Sequence, residues 1–260
     1  MNQSLEEKKR YFIELAFLGT AYHGWQIQQN ALTVQECIDK SLSTYFRQKI
    51  ETVGCGRTDA GVHAKQMYAH FDLESLEDLD TEKALKGINA LLPFDIVCKS
   101  VFQVDSETHA RFDALNRTYE YHIHFEKNPF LLGQSWHRRD IPDLDKMNEA
   151  ARIMMEYEDF SCFSKSNTQV FTNNCTIIKA EWTHLPNEKR MIFTVSANRF
   201  LRNMVRAIVG TLLEIGDGKQ EIGHIRKVIE SKNRSVAGTS VPACGLYLTE
   251  VVYPKGIFKK

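Results

Sequence analysis

Stretches of strand period and stretches of helix period alternate along this chain, and that alternation limits its fold more than any other feature of the sequence. An apolar run from Phe12 to Phe17 ends at Gly19 and suits a buried strand with a turn after it. Thr33 and Glu36 have the form of a capping box, and Val34, Cys37, Ile38, Leu42 and Tyr45 then recur at helical spacing up to about Arg47. Residues 53–64 hold turn formers and no period, which predicts a loop. Met67, Ala69, Phe71 and Leu73 alternate with more polar neighbours as a strand does. Thr81 to Leu92 reads as a helix stopped by Pro93, with a strand from Ile96 to Phe102 behind it.

The remainder repeats the style without obvious sequence identity. Tyr119, Tyr121, Ile123 and Phe125 share one face of a strand beginning at Thr118, and a helix is expected from Asp143 to Met155. Strands at Thr176 to His184 and Met191 to Val195 precede the strongest helical pattern, Phe200 to Ile215, which Gly216 should end as a left-handed cap. Glu221 to Ser231 reads as a helix and Leu246 to Tyr253 as a closing strand. The expectation is an α+β protein of two halves, residues 8–107 and 108–256.

Composition allows a packed core without metal or disulfides: 43% of the 260 residues are hydrophobic and 25% are charged. The first ten residues are polar where a secretion signal needs an apolar stretch, and no run is long enough to cross a bilayer, so a cytoplasmic protein is expected. The six cysteines show no close pairing of the C-x-x-C kind and read as reduced thiols. Formal net charge is zero, yet the spread is uneven. Glu74, Glu77, Asp78 and Asp80 make the early part acidic, whereas Lys179 to Arg234 gathers Lys189, Arg190, Arg199, Arg202, Arg206, Arg226, Lys227, Lys232 and Arg234. A basic face for a polyanion fits within that neutral total.

The densest chemical text is Gly54-Cys55-Gly56-Arg57-Thr58-Asp59-Ala60-Gly61-Val62-His63. Its glycines permit close approach by a bulky ligand, so the loop is suited to present Asp59. On the residues alone, an aspartate between glycines more often bonds its own turn than reacts. Tyr119, on an alternating strand, more often packs than recognises a substrate. Arg199, Arg202 and Arg206 recur at helical spacing on the expected helix, which suits a solvated face as well as an anion site. His122 and His124 share a strand face, but no third ligand stands at a recognisable spacing and no metal site is expected. His63 and His109 read equally well as turn packing, phosphate contact or catalysis.

The sequence Gly56-Arg57-Thr58-Asp59-Ala60-Gly61-Val62-His63 resembles the catalytic loop of the tRNA pseudouridine synthase A (TruA) family. Further blocks match in order: Tyr22-His23-Gly24-Trp25-Gln26 with Val34-Gln35-Glu36, His109-Ala110-Arg111-Phe112 with Arg117-Thr118-Tyr119, Phe200 and Met204-Val205-Arg206 with Ile208-Val209-Gly210, and Gly245-Leu246-Tyr247-Leu248. The likeness runs from about Tyr11 to Pro254. It implies two related halves of RRM-like or ferredoxin-like form, their sheets joined into one mostly antiparallel sheet with helices on one side and a cleft across it. It implies Asp59 as nucleophile, Tyr119 as the ring that packs on the target base, and Arg206 as the cation paired with the aspartate. Arg57, Thr108, His109, Ala110, Arg111, Phe112 and Leu246 would contact substrate. The expected partners are tRNA, modified in the anticodon arm at positions 38, 39 and 40, and a second copy of the chain; no cofactor is implied.

Two other readings compete with that one. A pure RNA-binding module has no use for a carboxylate set among phosphate contacts. A glycosidase needs a second carboxylate as acid, and no convincing one stands near Asp59 in the sequence. The loop Ser164 to Cys175, expected to touch tRNA in such a family, carries only Lys165 as a charge, and the acidic stretch Asp72 to Glu82 should face away from RNA.

Overall fold

The computed structural model describes residues 8–74, 79–164 and 172–258. Lys165, Glu77 and Asp78 lie outside the described residues. The chain divides into two compact units, Met1–Leu115 with Thr249–Lys260, and Asn116–Leu248. A contiguous division at 107/108 differs from this one because a closing segment that returns to the first unit leaves no mark in composition. Each unit is α+β, with helices packed against its own strands.

In the first unit, β1 (Lys8–Phe17) leads to α1 (Val34–Phe46), then to the short β2 (Val53–Gly54) and β3 (His63–Glu74), and finally to α2 (Thr81–Leu91) and β4 (Ile96–Val104). β1 lies between antiparallel β4 and β3, and β2 pairs with β3. The helices start where side chains satisfy their first amides. Thr33 Oγ1 accepts from Glu36 N–H at 3.3 Å and Asp80 Oδ1 from Lys83 N–H at 3.0 Å. Pro93 ends α2 by disfavouring helical angles at Leu92.

Paired residues share a face, so Tyr11, Ile13 and Leu15 line up with Phe71, Ala69 and Met67, all buried beneath the helices. The opposite face of β1 is also covered, since Phe12 packs against Tyr253 and Phe258 from the end of the chain. Phe12–Phe17 is therefore close to a continuous apolar run, as expected of a strand buried on both faces. Asn89 ties α2 to the edge strand, accepting from Cys98 N–H at 2.9 Å and donating to Cys98 C=O at 2.8 Å.

In the second unit, β5 (Asn116–His124) is followed by β6 (Trp136–His137), α3 (Leu144–Met154), β7 (Ile177–Leu185), β8 (Arg190–Ala197), α4 (Met204–Gly216) and α5 (His224–Ser231). β5 pairs antiparallel with β8 and parallel with β6, and β8 pairs antiparallel with β7. Tyr121, Ile123, Phe193, Val195 and Trp182 form the buried face. Asn148 on α3 repeats the device of Asn89, accepting from Trp182 N–H at 2.7 Å and donating to Trp182 C=O at 3.0 Å. The closing strand β9 (Leu246–Val252) begins in this unit and ends in the first.

The structure departs from two expectations around α4. The helix expected from Phe200 begins at Met204, because Asn203 adopts a left-handed φ of 66° and donates to Ser240 Oγ at 2.6 Å. Arg199 and Arg202 therefore precede α4 and do not share its face with Arg206. Gly216 is still helical, set where a Cβ would crowd the Met147 side chain at 2.7 Å; the left-handed residue is Gly218, φ 71°.

Candidate active site

Residues 55–62 cross between β2 and β3 without regular structure, and Asp59 stands half-buried among them. Segment 19–25 holds this loop. Trp25 N–H donates to Thr58 C=O and Gly61 N–H donates to Tyr22 C=O, both at 3.2 Å, so the two bonds fall on either side of Asp59. Val62 N–H closes a turn onto Asp59 C=O at 3.2 Å. Gly24 permits this approach. Its φ is +91°, and a Cβ would lie 2.4 Å from Thr58 O. Trp25, fully packed, lies against Gly54, where a Cβ would come within 2.6 Å of the indole.

His63 takes its structural reading: it is buried, and its Nδ1 accepts from Gly19 N–H at 2.9 Å. The loop's entry is also fixed. Thr52 donates through N–H (3.0 Å) and Oγ (2.6 Å) to Asp39 Oδ1, and its carbonyl accepts from Gln35 Nε2 at 2.6 Å. Burial lifts the Asp39 carboxyl to about 6 against the opposing pull of those Thr52 bonds. Arg57 is exposed.

The second group in this unit is the turn around Thr108–Phe112. Arg10 forms a two-pronged pair with Asp72, at 2.7 and 2.9 Å, and gives a further bond to Thr108 C=O at 3.1 Å. Two imidazoles then accept main-chain donors: His70 Nδ1 from Ala110 N–H at 3.1 Å, and His109 Nδ1 from Arg111 N–H at 3.1 Å. Burial, helped by the Arg10 charge, pushes His70 down to about 4 and so keeps it a neutral acceptor. Thr108 and Ala110 are buried, whereas Arg111 is exposed and Phe112 has 74% of its surface in solvent. His70, His109 and Phe112 form a row of rings at 4.7 and 4.3 Å, and the Arg111 guanidinium lies 5.8 Å from the Phe112 ring centre. A nearly naked phenylalanine beside an arginine, on a turn held from beneath, is suited to a base and its phosphate.

In the second unit, Tyr119 is half-buried on the face it shares with Tyr121 and Ile123, and its ring meets Phe200 edge-on at 5.1 Å. Phe200 belongs to a matched block that carried no assigned role, and the structure sets its ring against Tyr119. Arg206 leaves the first turn of α4 half-buried, its Nε donating to Val241 C=O at 2.7 Å while Val241 N–H returns a bond to Arg206 C=O at 3.2 Å. The segment carrying Val241 lies hard against the helix, since a Cβ on Gly210 would stand 1.9 Å from Thr239 O. Leu246 is buried at the start of β9.

Much of the basic stretch is committed within the unit. Arg190 pairs with Glu188 at 2.8 Å, Arg226 with Glu156 at 2.7 Å and Lys232 with Asp159 at 2.8 Å, and Arg234 donates to the carbonyls of Ala237 and Gly238. Lys189, Arg202 and Lys227 are exposed. His122 engages side chains through both ring nitrogens, Glu120 at Nε2 and Arg190 at Nδ1, each 2.8 Å away. All six cysteines are free thiols, and no helix among the described residues is long and apolar enough to cross a membrane.

A family model described as tRNA pseudouridine synthase matches residues 153–254. The tRNA pseudouridine synthase A of Bacteroides fragilis is 52% identical over 251 residues, covering 96% of this chain and 99% of the relative. That of Porphyromonas gingivalis is 48% identical over 249 residues, with 96% and 99% covered. At greater distance, the Francisella tularensis subsp. holarctica protein is 38% identical over 255 residues, 97% of each chain.

Proposed function

The chain belongs to the tRNA pseudouridine synthase A family, and on that premise we propose that it converts uridine to pseudouridine at positions 38, 39 and 40 of the tRNA anticodon arm, with Asp59 as the reacting carboxylate. The observation that carries the assignment is the placement of Asp59. It is half-buried on a glycine loop whose backbone is pinned on both sides, so the carboxylate has access to a substrate without freedom to wander.

The reaction needs little else. The bond from ribose C1′ to uracil N1 breaks, the base turns, and C1′ joins C5, with the C5 proton released and one proton taken up at N1. Atoms and electrons balance within the nucleotide, so one carboxylate is enough whether it attacks the sugar, attacks the base or removes a ribose proton. Asp59 must begin ionised, and the family resemblance gives Arg206 the role of its cationic partner. Tyr119 is proposed as the ring that receives the extruded base; stacking of this kind returns roughly 1–3 kcal/mol of what unpairing costs. Arg57, Arg111 and Phe112, all exposed, with Thr108, His109 and Ala110 on the same turn as the latter two and Leu246 in the second unit, are proposed as RNA-contacting or supporting residues. We propose further that the chain acts as a homodimer in the cytoplasm.

The test incubates purified protein with unmodified tRNA and maps pseudouridine by a chemical adduct that halts reverse transcription. Signal at 38 to 40, lost in a folded, tRNA-binding Asp59→Asn variant, is the expected result. Substantial turnover in that variant would defeat the assignment.

A further inference from the structure

We propose that Tyr22 and Asp95 are positioning residues for Asp59, forming a brace that transmits the location of regular structure to the reactive loop. The proposal rests on the reading of Asp59 given above. Tyr22 is 4% exposed, and its hydroxyl donates to Asp95 Oδ1 at 2.6 Å. Asp95 also accepts from Leu18 N–H through its own carbonyl at 2.9 Å, so one residue grips segment 18–22 at both ends. Asp95 itself lies between the end of α2 and the start of β4, where Ile96 N–H closes a turn onto Pro93 C=O at 3.0 Å.

The chain of contacts is short: Asp95 holds the Tyr22 hydroxyl, the Tyr22 carbonyl receives Gly61 N–H, and Gly61 lies two residues from Asp59. The Tyr22–Asp95 bond is charge-assisted and sheltered, which makes it stronger and more directional than an exposed one. Burial first, and the Asp95 carboxylate second, push the phenol above its ordinary range, so it remains a proton donor throughout the working pH. The ring would fill its pocket equally well without the hydroxyl; what the hydroxyl adds is register.

The experiment measures steady-state kinetics on unmodified tRNA for Tyr22→Phe, Asp95→Ala, Asp95→Asn and the double variant Tyr22→Phe with Asp95→Ala, each beside its melting temperature. In Tyr22→Phe, kcat is expected to fall roughly tenfold at unchanged KM, because a reacting group misplaced by a fraction of an ångström loses rate and not affinity. Asp95→Ala should match it, and the double variant should be no worse than either single one. Asp95→Asn, whose amide oxygen accepts the same bond, should recover most of the loss.

Overturning results are a Tyr22→Phe kcat within about twofold of the parent, a loss confined to KM, or a loss that tracks melting temperature and that Asp95→Asn shares. Asp59→Asn is run alongside. Turnover there defeats the reading of Asp59 itself, while an inactive Asp59→Asn beside a normal Tyr22→Phe defeats only the brace.

Discussion

Asp59 and Arg206 are held in opposite ways. The first stands on irregular chain, and its neighbours are fixed by backbone bonds from segment 19–25 and by Asp39 and Gln35 at the loop's entry. The second stands on the first turn of α4, a helix in which eleven of thirteen residues are buried, and a crossing segment receives its guanidinium through the Val241 carbonyl. In one unit a loop is made rigid from outside. In the other a rigid element carries the side chain, and irregular chain is pressed onto it. Damage should therefore separate: harm to the helix contact should appear as lost stability, harm to the loop brace as lost rate.

The largest expected effect is at Gly210. Alanine there would set a methyl 1.9 Å from Thr239 O, and neither the helix backbone nor the carbonyl of the crossing segment is the flexible end of a side chain. Forcing them apart should cost about 3 kcal/mol, read as a shifted urea midpoint, because overpacking against backbone cannot relax by a rotamer change. The segment that moves also carries Val241, so the surviving folded enzyme should be slower too. An unchanged midpoint would break the comparison at its helical end.

Gly24→Ala tests the loop end. The residue has φ +91° and its new Cβ would meet Thr58 O at 2.4 Å, directly beside Asp59. The expected destabilisation is smaller, about 1–2 kcal/mol, since the strain of a left-handed alanine is local and the loop is half-exposed. The kcat should nevertheless fall by more than in Gly210→Ala, roughly a hundredfold, as the carboxylate loses its placement. If Gly24→Ala lost stability in proportion to rate, the loop would be as much part of the global fold as α4, and the distinction would vanish.

The same contrast governs what the sequence discloses. Features written in consecutive residues were legible: the Thr33 cap, the alternation from Met67 to Leu73, the aperiodic loop around Asp59, and the order of matched blocks. Features that depend on where distant chain arrives were not. Leu201, Met204, Val205 and Ile208 continue a helical period back to Phe200, and only the Ser240 hydroxyl bonded to Asn203 shows why the helix starts later. Gly24 reads as an ordinary turn glycine until Thr58 O is found against it. Tyr22 and Asp95 are separated by 73 residues, and neither hints at the other. The clustered arginines after Lys179 look like an open basic face in one dimension, whereas Arg190, Arg226 and Arg234 are already engaged. Charge is countable from sequence, but its availability is set by pairing.

The smallest expected effect sharpens the comparison by pH. At the loop's entry a buried carboxylate receives two bonds from Thr52, whereas the Arg206 anchor uses a main-chain carbonyl that does not titrate. The folded Asp39 carboxyl is raised from 3.8 to about 6, so the folded state holds a proton that the unfolded chain releases earlier. Its contribution to stability is fully present below about pH 4, declines as pH rises, and is lost above about pH 6. Asparagine keeps an oxygen for both Thr52 donors and carries no charge. Asp39→Asn should therefore remove that decline, gaining about 1 kcal/mol on the parent between pH 4 and 7, below the roughly 3 kcal/mol ceiling set by the whole shift. Urea midpoints taken across that range measure it. Parallel pH curves for the two proteins would mean that the loop's entry is held by geometry alone, as the Val241 contact is.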